Sequence, residues 1–214
     1  MTTEAVALPE VAAHAEEHHH TSLGLSNTKL AMWLFLGSEC LLFGALISSY
    51  LLSAARYEEE LEAGNPNITE VGPELFDIPF TSASSFILLM SSLTVVLALN
   101  SVKRADYRST RVWLGATIAL GSTFIAGQIY EFTAFYNEGL GFTTNLFSSA
   151  FYTLTGFHGV HVTVGIVMLS SLLLLSFRGK LKRDRAETLE VVALYWHFVD
   201  IVWVLIFTIV YLLA

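Results

Sequence analysis

Five long apolar runs organise the chain: Leu30–Leu52, Phe80–Val102, Val112–Phe135, Ala150–Phe177 and Val191–Leu213. As helices rising ~1.5 Å per residue, each can cross a hydrocarbon core of roughly 30 Å. The longest, Ala150–Phe177, would reach about 42 Å and so crosses with tilt. Charged residues gather between the runs rather than within them. The pattern predicts an all-α bundle of five transmembrane helices formed by residues 29–214 as one unit. Residues 1–28 are predicted to be a disordered tail, acidic and rich in histidine (His14, His18, His19, His20). Ala54–Pro79 reads as an irregular loop, punctuated by Gly64, Pro66, Gly72, Pro73 and Pro79. No internal repeat of about 20–50 residues is present.

Composition agrees with a membrane chain. Of 214 residues 54% are hydrophobic, and mean hydropathy is +0.59, above the usual range of a soluble domain. The net charge of −8 hides a segregation. Lys29, the bases of Lys103–Arg111 and those of Arg178–Arg185 fall on one side of a five-span topology, and Arg56 alone lies across. The acidic loop places Glu58, Glu59, Glu60, Glu62, Glu70, Glu74 and Asp77 opposite them. The positive-inside rule then puts the N-terminal tail in the cytoplasm and the C-terminus outside. Nucleic acid is not expected as a partner, because no basic face exists beyond the two short loops. A single cysteine, Cys40, excludes an intrachain disulfide and a thiolate cluster. Glu4, Glu10, Glu16 and Glu17 break the pattern of a cleavable signal peptide. Neither a nucleophile elbow nor a phosphate loop is found.

The candidate chemistry lies inside the runs. Glu39 sits about 15 Å in from Lys29, and an unpaired carboxylate there costs ~2.5–3.5 kcal/mol. Gln128 and Glu131, His158 and His161, and His197 and Asp200 form three i, i+3 pairs. Depth alone predicts two polar layers, Glu39 with His197 and Asp200, and Gln128 and Glu131 with His158 and His161. Small residues at Gly37 and Gly44, at Gly115, Gly121 and Gly127, and at Gly156 and Gly159 read as helix-packing positions. The serines of the second run (Ser82, Ser84, Ser85, Ser91, Ser92) can bond within their helix or across to another. Three uses compete for the polar set. A metal site fits poorly, since a di-metal bundle needs Glu-x-x-His on two helices. A proton relay suits intramembrane Glu and His. The third use is structural, with interhelical hydrogen bonds and lipid-headgroup contacts.

Several segments together resemble subunit III of the haem-copper terminal oxidases. These are Trp33-Leu-Phe-Leu-Gly-Ser-Glu39, Phe76-Asp-Ile-Pro-Phe80, Gly121-Ser-Thr-Phe-Ile-Ala-Gly-Gln128-Ile-Tyr-Glu131-Phe, Thr155-Gly-Phe-His158-Gly-Val-His161, and Glu190 through Tyr195-Trp-His197-Phe-Val-Asp200. Phe132 stands where the family usually has tyrosine. The resemblance covers roughly residues 30–214 and is to the five-helix form, which lacks the first two helices of the seven-helix form. It implies an accessory subunit of the bacterial cytoplasmic membrane with no haem or copper of its own and no catalytic, cofactor or metal residues. Haems and copper are expected in partner subunits, subunit I is the expected packing partner with subunit II nearby, and bound phospholipid is expected. Glu39, Gln128, Glu131, His158, His161, Glu190, His197 and Asp200 are the family's polar core by this resemblance. The host complex would reduce oxygen to water and pump protons. Two rivals stand beside it: an accessory protein of nitric oxide reductase, and an independent proton-coupled transporter. The spans lack the Pro breaks and inverted repeats typical of transporters.

Overall fold

A computed structural model describes residues 26–65 and 75–213. The His-rich tail, except its last three residues, and the centre of the acidic loop lie outside the described residues. Five helices follow in order: α1 (Asn27–Glu62), α2 (Ile78–Lys103), α3 (Tyr107–Asn137), α4 (Leu146–Phe177) and α5 (Ala186–Phe207). A short 3-10 turn (Arg183–Arg185) leads into α5, and a π turn (Thr208–Leu212) continues it. All five are long and apolar enough to cross a membrane.

The helices outrun the apolar stretches, α1 most of all. It continues past Leu52 to Glu62, so the first part of the expected loop is helical. The reason is local: Ala54–Glu62 consists of good helix formers, and no glycine interrupts it before Gly64. At their starts, Ser26, Asp77, Asp106 and Asn145 each accept a backbone N–H of the first turn. The side-chain hydrogen bond from Ser109 holds the Asp106 carboxyl below its usual range.

Four helices end alike. The N–H groups of Asn65, Asp106, Leu140 and Lys180 reach back to the carbonyls of Glu60, Ser101, Phe135 and Leu175, closing a Schellman turn. The residue before each is left-handed: Gly64, Gly139, Gly179 and, alone among the described non-glycine residues, Ala105 at φ 60°. A Cβ in that region costs roughly 1–2 kcal/mol. Ala105→Gly is therefore expected to stabilise the chain by about 1 kcal/mol, read as a higher unfolding midpoint in detergent. An unchanged or lower midpoint would show that Ala105 carries no strain.

Helix α5 lies at the centre, against α1, α2 and α4, while α3 closes the ring between α2 and α4. Half of α5's apolar stretch is buried within the chain, against 11% for α1. The keystone is Trp196 of α5. Its ring fits against Gly121 of α3 and Gly165 of α4, where an added Cβ would lie 2.7 Å from ring carbons. Its indole donates to Ser91 of α2 at 2.9 Å. Four helices thus meet on one side chain. Trp203 repeats the device one layer away, donating to Ser85 at 2.8 Å and meeting Phe124 edge-on at 4.8 Å.

Not every expected packing glycine is used. A Cβ on Gly37, Gly44, Gly115 or Gly156 would meet nothing within 4 Å. Gly37 and Gly44 lie on the outside of the bundle, Gly115 and Gly156 are half-buried, and Gly159 meets the side chain of Gln128 rather than a backbone. Sequence spacing shows which residues are small but not the direction in which each faces.

Candidate functional site

The polar residues do not form the two layers that depth predicts. Glu39 Oε2 meets His161 Nε2 at 3.0 Å, both side chains 14% exposed. It does not pair with His197 or Asp200. The correction follows from packing: α1 runs mainly along α4, and His161 lies at the middle of α4, level with Glu39. Leu36 and Phe43 are buried on the same face of α1 and carry Glu39 inward between them. Phe43 meets the His161 ring edge-on at 5.0 Å.

The hydrogen bonds fix the charge of this pair. His161 Nδ1 faces the Phe157 carbonyl at 2.8 Å. A carbonyl only accepts, so Nδ1 carries a proton. Nε2 then either donates as imidazolium to the Glu39 carboxylate or accepts from its carboxylic acid. Both arrangements are net neutral, which is what apolar surroundings demand of a buried acid.

The expected outer layer is split as well. Glu131 accepts from Thr81 of α2 at 2.6 Å. His158 is fully buried and stacks on Trp203 at 4.9 Å, with neither ring nitrogen bonded. Gln128 lies against Gly159 and leaves its Nε2 unpartnered. Neither Gln128 nor Glu131 reaches His161, which is spent on Glu39.

Elsewhere in the bundle, His197 and Asp200 converge on Ser92 of α2. Ser92 Oγ lies 3.1 Å from His197 Nδ1 and 2.6 Å from Asp200 Oδ2. Glu190 is not in the core. It sits at the basic end, 3.3 Å from Lys29 and 3.9 Å from Lys103, while Ser26 donates to Glu187 beside it. These partly exposed pairs are worth at most about 1 kcal/mol each; they fix the seating of α1 and α2 against α5. At the same end Arg111 donates to the Ser176 carbonyl at 2.9 Å and covers the Phe177 ring at 5.2 Å. The opposite end is closed by aromatics: Phe76 packs against Tyr211 at 4.7 Å and Phe151 at 5.1 Å.

Among the described residues, no three His, Cys, Asp or Glu side chains converge as a metal ion would need. The polar groups instead join helices in pairs: α1 to α4, α2 to α3 and α2 to α5. Thr81, Ser85, Ser91, Ser92 and the two indoles complete this network. The serine content of the second run was its visible signal; the partners of those serines were not visible.

Comparison with known proteins places this architecture. The family model for cytochrome c oxidase subunit III matches residues 8–214. The chain is 39% identical over 200 residues to a cytochrome c oxidase subunit 3 of Bacillus sp. strain PS3, covering 94% of this chain and 92% of that protein. It is 41% identical to cytochrome c oxidase subunit 3 of Bacillus subtilis, covering 88% and 87%. It is 34% identical to cytochrome bo(3) ubiquinol oxidase subunit 3 of Pseudomonas aeruginosa, covering 94% and 91%. With a family match over nearly its whole length, the chain belongs to the cytochrome c oxidase subunit III family.

Proposed function

We propose that this chain is the accessory third subunit of a proton-pumping haem-copper oxidase of a bacterial cytoplasmic membrane. Its basic end faces the cytoplasm. It contributes no redox centre; haems and copper belong to the partner subunits, and subunit I is the packing partner. The observation that carries this reading is that the buried polar groups bind one another across helices, at Glu39–His161, Thr81–Glu131 and Ser92–Asp200. Hydrogen bonds made between helices in this way hold a bundle together, which is what assembly with a large catalytic partner needs. The exposed outer face of α1, with Trp33, Leu34, Leu41 and Leu52, offers apolar surface to lipid or to that partner. Bound phospholipid is part of the proposal. The relatives include chains named for cytochrome c and for ubiquinol, so the electron donor is a property of the other subunits.

The test is to extract the chain gently from its own membrane and record the reduced-minus-oxidised spectrum of what accompanies it. Haem a or haem o signals with oxygen consumption are expected, and supplying cytochrome c or quinol would name the donor. A haem b and non-haem iron complex that consumes nitric oxide would overturn the reading. So would a chain with no coloured partner that moves protons alone in liposomes.

A further inference from the structure

We propose that His197, Ser92 and Asp200 form a proton-exchange relay that loads Asp200 from the basic end of the bundle. His197 lines a groove of about 230 Å³ together with Lys29, Trp33, Leu99, Glu190 and Leu194. Glu190 marks the mouth of this groove, two helical turns or about 10 Å above His197 on the same face of α5. The volume would accommodate a short file of waters, each taking about 30 Å³. From His197 the hydrogen bonds lead inward, Nδ1 to Ser92 Oγ at 3.1 Å and Ser92 Oγ to Asp200 Oδ2 at 2.6 Å. Asp200 is buried, and its Oδ1 has no hydrogen-bond partner.

This chain of three has two fully bonded arrangements, because Ser92 has one proton to donate and accepts the other bond. In one, Nδ1–H donates to Ser92, Ser92 donates to the Asp200 carboxylate, and Nε2 is bare toward the groove. In the other, the Asp200 carboxylic acid donates to Ser92, Ser92 donates to bare Nδ1, and Nε2 carries the proton. They differ by one proton. A proton binding at Nε2 releases the Nδ1 proton to Ser92 Oγ as the Ser92 hydroxyl proton passes to Asp200 Oδ2. The histidine ends neutral, the serine is restored, and the carboxylate becomes the acid. The reverse sequence returns the proton to the groove.

The titratable groups around the relay are Lys29 on α1, Lys103 on α2, Glu190 on α5 and, one turn beyond Asp200, His158 of α4 on Trp203. Among the described residues no lysine or arginine pairs with Asp200, whereas Glu190 holds two lysines at the mouth. Fixed charge therefore sits at the entrance, and the interior site is neutralised by a proton. The proposal uses only this chain's geometry, so its failure would leave the family assignment and the subunit reading intact.

The test is infrared difference spectroscopy on the intact complex during a pH jump and on transfer to deuterated buffer. A protonated-carboxyl band that rises as pH falls, shifts in deuterium and vanishes in Asp200→Asn is expected. Ser92→Ala should keep the band but slow its deuterium shift at least tenfold. Ser92→Thr, which keeps the hydroxyl, should restore the rate. His197→Phe should slow it as Ser92→Ala does. Absence of any band lost in Asp200→Asn, or a Ser92→Ala band that exchanges as fast as the unmodified complex, would overturn the relay. If Asp200→Asn fails to assemble, the rates of the Ser92→Ala and Ser92→Thr complexes decide alone.

Discussion

Gly165→Val is expected to lower the unfolding midpoint sharply and to cut the yield of folded protein. The first added carbon would lie 2.7 and 2.8 Å from two ring carbons of Trp196, closer than real contacts allow. Trp196 cannot retreat. Gly121 stands on its other side at the same 2.7 Å, its indole N–H is held by Ser91, and only 1% of it is exposed. Overpacking of a tight core typically costs 1–3 kcal/mol, and a branched side chain against a ring already held between two helices belongs at about 3 kcal/mol or beyond. That lowers the folded-to-unfolded ratio roughly a hundredfold, a large share of a typical margin of stability. The measurement is the yield of monodisperse chain in detergent with its unfolding midpoint. Gly37→Ala is the control, since its Cβ meets nothing and the isolated bundle should keep its midpoint. Normal yield and midpoint for Gly165→Val would mean that α4 and α5 do not approach as described.

The contrast between Gly165 and Gly37 also shows what the sequence reveals. Both are glycines within apolar runs, and hydropathy treats them alike. One is a socket and the other faces outward, because rotation of a helix about its axis is a tertiary property. The number of spans and the bias of basic residues to one end were legible, for each depends on composition along one dimension. Helix ends were partly legible. Hydropathy closes α1 at Leu52, but the helix formers of Ala54–Glu62 and the stop at Gly64 mark its true end. The polar residues of the core were legible as types, since charge inside an apolar run is rare. Their partners were not. Depth counted along the sequence puts Glu39 with His197 rather than His161, and only the neighbour relation of α1 and α4 reveals its partner. The stripe Leu36, Phe43, Tyr50, Tyr57 at spacing seven does contain the inward direction of Glu39. It says nothing of which helix lies opposite.

The Glu39–His161 pair gives the second large expected effect, and the effect is asymmetric. His161→Leu leaves a carboxyl at mid-span with its partner gone, and breaking a buried pair from one side costs about 3–5 kcal/mol. The acid can lessen this by staying protonated, but its hydrogen then has no acceptor. Glu39→Leu leaves a neutral imidazole whose Nδ1–H still reaches the Phe157 carbonyl, so only Nε2 is orphaned, at about 1–3 kcal/mol. His161→Leu should therefore lower the unfolding midpoint in detergent more than Glu39→Leu. Glu39→Gln should cost least, since its amide can still bond Nε2. The combined Glu39→Leu and His161→Leu chain should recover most of the loss, because two apolar side chains need no partner. That recovery would mean that the pair is not retained for stability alone. If the double variant unfolds as early as His161→Leu, the two residues do not interact in the folded protein, and the α1–α4 contact must be redrawn.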